Sequence, residues 1–184
     1  MRKIAFIGAG NMALAIAKGI ISSNTVSPKD IVLFDKIAEQ YNKFDSECII
    51  ASSIQDVIAL SDYVFLSIKP QNVKDVLNTI KECENLTNKI FISICAGITI
   101  SSIENILGEV KIARAMPNTP LLIGEGTTGI CKNEHLSDEE FEIVMSFFAS
   151  SGLSIAVNEE DINNVTALTG SSPAYTYLLI KAAV

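Results

Sequence analysis

A chain of 184 residues with a formal net charge of −7 can bury roughly 70% of its unfolded surface, which suits one core and excludes two large ones. The acidic balance speaks against duplex nucleic acid or an anionic membrane surface as a partner, since both call for clustered Lys and Arg. Cys48, Cys83, Cys95 and Cys131 are widely spaced and form no C-x-x-C pair, so reduced thiols are expected rather than a disulfide framework.

The chain opens with the apolar run Ile4-Ala5-Phe6-Ile7, passes through Gly8-Ala9-Gly10-Asn11-Met12-Ala13 and continues with a helical period over 11–22. This pattern reads as a dinucleotide-binding strand-turn-helix. Gly8 serves the tight turn, Gly10 lets the backbone approach a pyrophosphate, and Ala13 lets the helix pack on its strand. A diphosphate would then face free N–H groups at the positive end of the helix. Apolar runs at 3–8, 31–35, 47–51, 62–68, 89–95 and 110–115 alternate with helical patterns near 11–22, 36–44, 54–61, 71–83 and 99–107. Such alternation predicts an α/β, Rossmann-type doubly wound and mostly parallel sheet. Runs such as Tyr63-Val64-Phe65-Leu66 are apolar on both faces, as central strands covered on both sides must be. Beyond Pro120 a short strand over 127–131, a helix opened by the capping box Ser137-Asp138-Glu139-Glu140, and a strand over 153–157 extend the same sheet.

The last segment differs in kind. The span 162–180 carries no charge but holds Asn163, Asn164, Thr166, Thr169 and Gly170, which is a poor pattern for a membrane helix. A helix starting at Ser172-Pro173 runs to Val184 with Lys181 as its one charged residue. Such a helix must be buried nearly all round, by another chain or by a second, helical domain. The expected division is a dinucleotide-binding domain at 1–158, then a linker and the first helix of a truncated helical domain at 159–184. The start of the chain has no export-signal pattern, and a cytoplasmic protein is expected.

Ligands bind outside the carboxyl ends of the strands in an open parallel sheet, and five motifs fall there. Gly8 to Met12 ends the first strand, Asp35 the second, Ser67-Ile68-Lys69-Pro70 the fourth and Cys95-Ala96-Gly97 the fifth, while Met116-Pro117-Asn118-Thr119-Pro120 follows the sixth. Asp35 suits the two hydroxyls of an adenosine ribose and would repel a 2′-phosphate, with Lys36 beside it softening that repulsion. Lys69 is held extended by Pro70 and can line the nicotinamide ribose. Two prolines stiffen the loop that presents Asn118 and Thr119. Ser171-Ser172-Pro173 offers hydroxyls at a helix start, suited to a small carboxylate or serving only as a cap. His135 is the sole histidine and precedes a capped helix, which weakens histidine-dependent and metal-dependent schemes; no metal site is expected.

The combination of IGAGNMA at 7–13, SIKP at 67–70, SICAGITI at 93–100, ARAMPNTP at 113–120 and GSSPAY at 170–175 resembles pyrroline-5-carboxylate reductase. The resemblance implies reduction of 1-pyrroline-5-carboxylate to L-proline with NADPH or NADH, the last step of proline biosynthesis, by a Rossmann domain followed by a helical dimerisation domain. It places Ile7, Gly8, Ala9, Gly10, Asn11, Met12, Asp35, Ser67, Ile68, Lys69, Pro70 and Ala96 against the dinucleotide. Asn118, Ser171 and Ser172 border the substrate, with Asn118 and Ser172 as the catalytic candidates and Glu159 as a further substrate-side residue. A homodimer or higher homo-oligomer through the C-terminal helical region is implied as well. The family's later serine-, proline-, glycine- and threonine-rich loop has no counterpart in these residues, so cofactor binding with little turnover is expected. The competing readings are a 3-hydroxyacid-type dehydrogenase relative and a non-catalytic dinucleotide-sensing module.

Overall fold

The computed structural model describes residues 3–183. Six strands, β1 (Ile4–Ile7), β2 (Ile31–Phe34), β3 (Ile49–Ile50), β4 (Tyr63–Leu66), β5 (Ile90–Ser93) and β6 (Lys111–Met116), pair in parallel in the spatial order 3-2-1-4-5-6. Ile7 stands opposite both Phe34 and Leu66, so β1, β2 and β4 end level and their following loops share one edge. That order reverses between β1 and β4, which opens a crevice there.

β7 (Gly126–Lys132) and β8 (Gly152–Ala156) complete the eight-stranded sheet, and β7 runs antiparallel to β6. The cause is the connection. Between β6 and β7 there is only a 3-10 turn, Thr119–Ile123, and a parallel return would need a crossover of a dozen or more residues. β8 does have one, the helix α5 described below, and runs parallel to β7.

Helices cover both faces. Successive strand residues point to opposite sides, so Ile4 and Phe6 meet α1 (Asn11–Ser22) while Ala5 and Ile7 meet α2 (Ile54–Leu60), α3 (Val73–Lys81) and α4 (Ile100–Leu107). α5 (Asp138–Ala149) joins α1 on the first face and begins with the expected capping box, Ser137 and Glu140 each bonding the other's backbone N–H. An aromatic cluster fills that layer: Phe6 stacks on Phe65 at 4.7 Å, and Tyr63 meets Phe147 edge-on at 5.1 Å.

Two expectations are corrected. The segment 36–44 is not an α-helix but a 3-10 segment, Ala38–Lys43. A side chain supplies the reason: the Tyr41 hydroxyl donates to the Asp35 carbonyl, the acceptor that a helix over 36–44 would use first, and accepts from the Asp35 N–H, each at 2.7 Å. Such local bonds compete with the helical ladder. The strand expected over 47–51 shrinks to Ile49–Ile50 at the sheet edge, where a partner is available on one side only.

After β8 the chain forms a 3-10 turn Glu159–Asp161, α6 (Ile162–Val165), a π-helical turn Thr166–Gly170 and α7 (Ser172–Ala183). Ile162 is buried in the second core layer, and the Val165 side chain lies where a Cβ on Gly129 would be, 2.9 Å away. α7 differs: Tyr175, Tyr177, Leu178, Leu179 and Ile180 are all exposed. The expected end of this helix at Val184 lies outside the described residues.

Phe65 is fully buried and central to the ring cluster. Phe65→Ala is expected to cost about 3–5 kcal/mol of stability, read as a shift in the denaturant midpoint with the slope unchanged.

Candidate functional site

Gly8 holds the first turn together. Its φ of +98° suits glycine alone, and a Cβ there would sit 2.4 Å from the Ser67 carbonyl oxygen. The Gly8 N–H donates to the Phe34 carbonyl at 2.8 Å, and the Ser67 hydroxyl donates to the carbonyls of Gly8 and Ile7 at 2.6 and 3.0 Å. The ends of β1, β2 and β4 are thereby pinned at one point. Ala9 and Ala13 are buried behind the turn, and Met12 packs on the same core layer.

Gly10 plays the opposite part. Its φ is −77°, a side chain's Cβ would meet nothing within 4 Å, and no side chain caps α1, which it precedes. The protein itself does not need a glycine there. It leaves open space over the first N–H groups of a helix, a setting that suits a diphosphate. The amides of Gly8 and Ala9 are not part of that setting: the first donates to Phe34 and the second to Asp35 Oδ2 at 2.7 Å. The expected bare amides therefore begin at Gly10.

A crevice of about 630 Å³ opens beside this turn. Ile7, Gly8, Gly10, Asn11, Asp35, Ser67, Ile68 and Lys69 all line it, as do Lys36, Gln40, Lys43 and Asn72. Of the last four, sequence reasoning singled out only Lys36, since the 36–44 and 71–83 stretches read as ordinary helices. Lys69 is extended before Pro70, which opens a short 3-10 turn. Ala96 is exposed on the neighbouring loop, where Gly97 has a φ of +76°. Cys95, beside it, is buried and donates its thiol to the Leu66 and Ile68 carbonyls, each at 3.2 Å. Burial pushes this thiol's pKa up.

On the β6 side the candidates have partners within the chain. Asn118 is buried, its Nδ2 donating to the Thr169 carbonyl at 3.1 Å and its Oδ1 accepting the Thr127 N–H at 2.9 Å. The amide ties the 117–120 loop to the π-helical turn. Glu159 Oε1 accepts from Arg114 Nη1 at 2.9 Å and from the Ile100 N–H at 2.7 Å. This ion pair, buried on the Arg114 side and half-exposed on the Glu159 side, was not foreseen, although Arg114 stands inside the ARAMPNTP motif. Ser171 and Ser172 are half-buried where the π-helical turn passes into α7.

The model of the family described as NADP oxidoreductase, coenzyme F420-dependent, matches residues 3–97. The pyrroline-5-carboxylate reductase of Escherichia coli (strain K12) is 36% identical over 186 residues, covering 98% of this chain and 68% of that protein. The chain belongs to the pyrroline-5-carboxylate reductase family. A solved pyrroline-5-carboxylate reductase from Coxiella burnetii matches with a TM-score of 0.91 at 33% identity, over 98% of this chain and 68% of that one. The Plasmodium falciparum pyrroline carboxylate reductase, solved with NADP bound, matches with a TM-score of 0.88 at 32% identity, over 98% and 67%. The chain thus spans about two thirds of the length of these family members, and its Rossmann-type fold is theirs. Among the described residues no helix is long and apolar enough to cross a membrane.

The two glycines of the turn should separate in experiment. Gly8→Ala is expected to destabilise the fold by several kcal/mol, from positive φ and contact with the Ser67 backbone together. Gly10→Val is expected to leave the thermal midpoint nearly unchanged and to weaken NADPH binding tenfold or more in a fluorescence titration.

Proposed function

We propose that this chain reduces 1-pyrroline-5-carboxylate to L-proline with NADPH or NADH. The observation that carries the reading is 36% identity to a pyrroline-5-carboxylate reductase over 98% of the chain, and the open space at Gly10 supports it. The dinucleotide supplies the hydride. The residues of the chain bind and orient. Gly10, Asn11 and the start of α1 receive the diphosphate; Asp35 meets the adenosine ribose. Ser67 to Pro70 and Ala96 line the way to the nicotinamide, and the inward thiol of Cys95 stiffens that wall.

Asn118, Ser171, Ser172 and Glu159 are proposed to border the substrate. Arg114 and Glu159 join the start of α4 to the segment leading into α7, and Asn118 makes a second tie to that segment. The side where Ala96 lies and the side where Ser172 lies are held in one frame, which suits a reaction between two bound molecules that depends on their relative position. The division into a dinucleotide-binding domain at 1–158 and a helical part from 159 belongs to the same proposal, with residues 159–170 seated on the sheet as its hinge. The four free cysteines suit a reducing compartment such as the cytoplasm.

The test is titration of the purified protein with NADPH and NADH, followed by an assay of their oxidation with 1-pyrroline-5-carboxylate and with a panel of oxoacids. Saturable binding and slow oxidation, specific to the cyclic imine, are expected. Failure to bind either dinucleotide, or oxidation driven by an oxoacid, overturns the reading. We further propose that the exposed apolar side chains of α7, among them Tyr175, Leu178 and Leu179, pack against a second copy of the chain, as the family resemblance implies. Light scattering is expected to give at least a dimer, with Leu179→Glu shifting it toward monomer; a monomer at high concentration contradicts this.

A further inference from the structure

The wall of the crevice built by the 3-10 segment Ala38–Lys43 carries a cation, Lys43. We infer that Lys43 is a specificity residue for the phosphorylated dinucleotide, its ammonium binding the phosphomonoester on the 2′-oxygen of the adenosine ribose. The inference rests on the reading of the crevice as an NAD(P)H site.

Three observations carry it. Asp35, which on sequence grounds repels a 2′-phosphate, is the one carboxylate among the described residues lining the crevice. Its side chain is folded back: Oδ2 accepts the Ala9 N–H at 2.7 Å and Oδ1 the Ile37 N–H at 2.9 Å. Its negative charge is thus turned into the backbone and partly satisfied there. Lys43 Nζ, by contrast, touches two neutral acceptors, Gln40 Oε1 at 2.8 Å and Asn11 Oδ1 at a weak 3.4 Å. Among the described residues it makes no ion pair. An uncompensated ammonium therefore bridges the 3-10 segment and the first residue of α1, beside the end of β2 where the ribose is bound in this fold. Lys36 and Lys69 line the same crevice, so its local charge is positive although the chain is acidic. A phosphomonoester near −2 at neutral pH would replace the 3.4 Å contact to Asn11 with a charge-assisted bond.

The location leaves the diphosphate as the rival partner for Lys43, and the test separates the two. The full chain, as wild type, Lys43→Gln and Lys43→Arg, is titrated calorimetrically with NADPH, NADH, 2′,5′-ADP and ADP. Lys43→Gln is expected to weaken NADPH and 2′,5′-ADP by about tenfold or more, to change NADH and ADP by less than about twofold, and to flatten the salt dependence of NADPH binding. Lys43→Arg is expected to keep the preference. Equal losses for NADPH and NADH assign Lys43 to the shared diphosphate and overturn the inference, as does an unchanged NADPH affinity. If the wild type binds neither NADPH nor NADH, the dinucleotide reading itself falls.

Discussion

The arrangement depends on the absence of a side chain at Gly8. With φ at +98° and the Ser67 carbonyl only 2.4 Å from where a Cβ would be, the backbone closes on itself at the point where β1, β2 and β4 end. The Gly8 N–H reaches Phe34, and the Ser67 hydroxyl reaches back to Ile7 and Gly8. These bonds satisfy backbone groups that an abrupt turn would otherwise strand in a buried place. They also aim α1 so that its uncapped start faces the crevice.

The opposite side of the sheet edge is held by charge. Arg114 is almost fully buried, and Glu159 is its partner while also accepting from the start of α4. Removing Glu159 is costly because it leaves the buried Arg114 charge without its partner. The field of the pair reaches Cys131, whose pKa rises to about 11 through burial first and then the Glu159 carboxylate, with Arg114 acting the other way. Asn118 adds a neutral clamp nearby. Gly8 and this ion pair together hold the two halves of the edge on one rigid support.

Much of this was legible in the residues. The helix over 11–22, the central strands, the capping box at Ser137 and the clustering of motifs at one sheet edge follow from periodicities of 3.6 and 2 and from local capping chemistry, which act over a few residues. The crevice lining by Gly8, Gly10, Asp35 and Ser67 to Lys69 was equally accessible, because strand ends in a parallel sheet share an edge whatever their exact packing. The helix assigned to 36–44 failed because the Tyr41 hydroxyl takes up the Asp35 carbonyl that the helix would use first, and nothing in the apolar period reports that bond.

By itself the sequence determined the fold class, the turn at Gly8 and the family motifs, all properties of short stretches. Only the tertiary structure decided that β7 reverses direction, that Asp35 turns its carboxylate toward Ala9, that Lys43 stands without a counter-charge among the described residues, and that Glu159 is engaged by Arg114. Each of these depends on atoms that the chain brings together, at times from far apart in sequence, and on which lone pair a donor finds first. A local pattern contains the groups but not their partners.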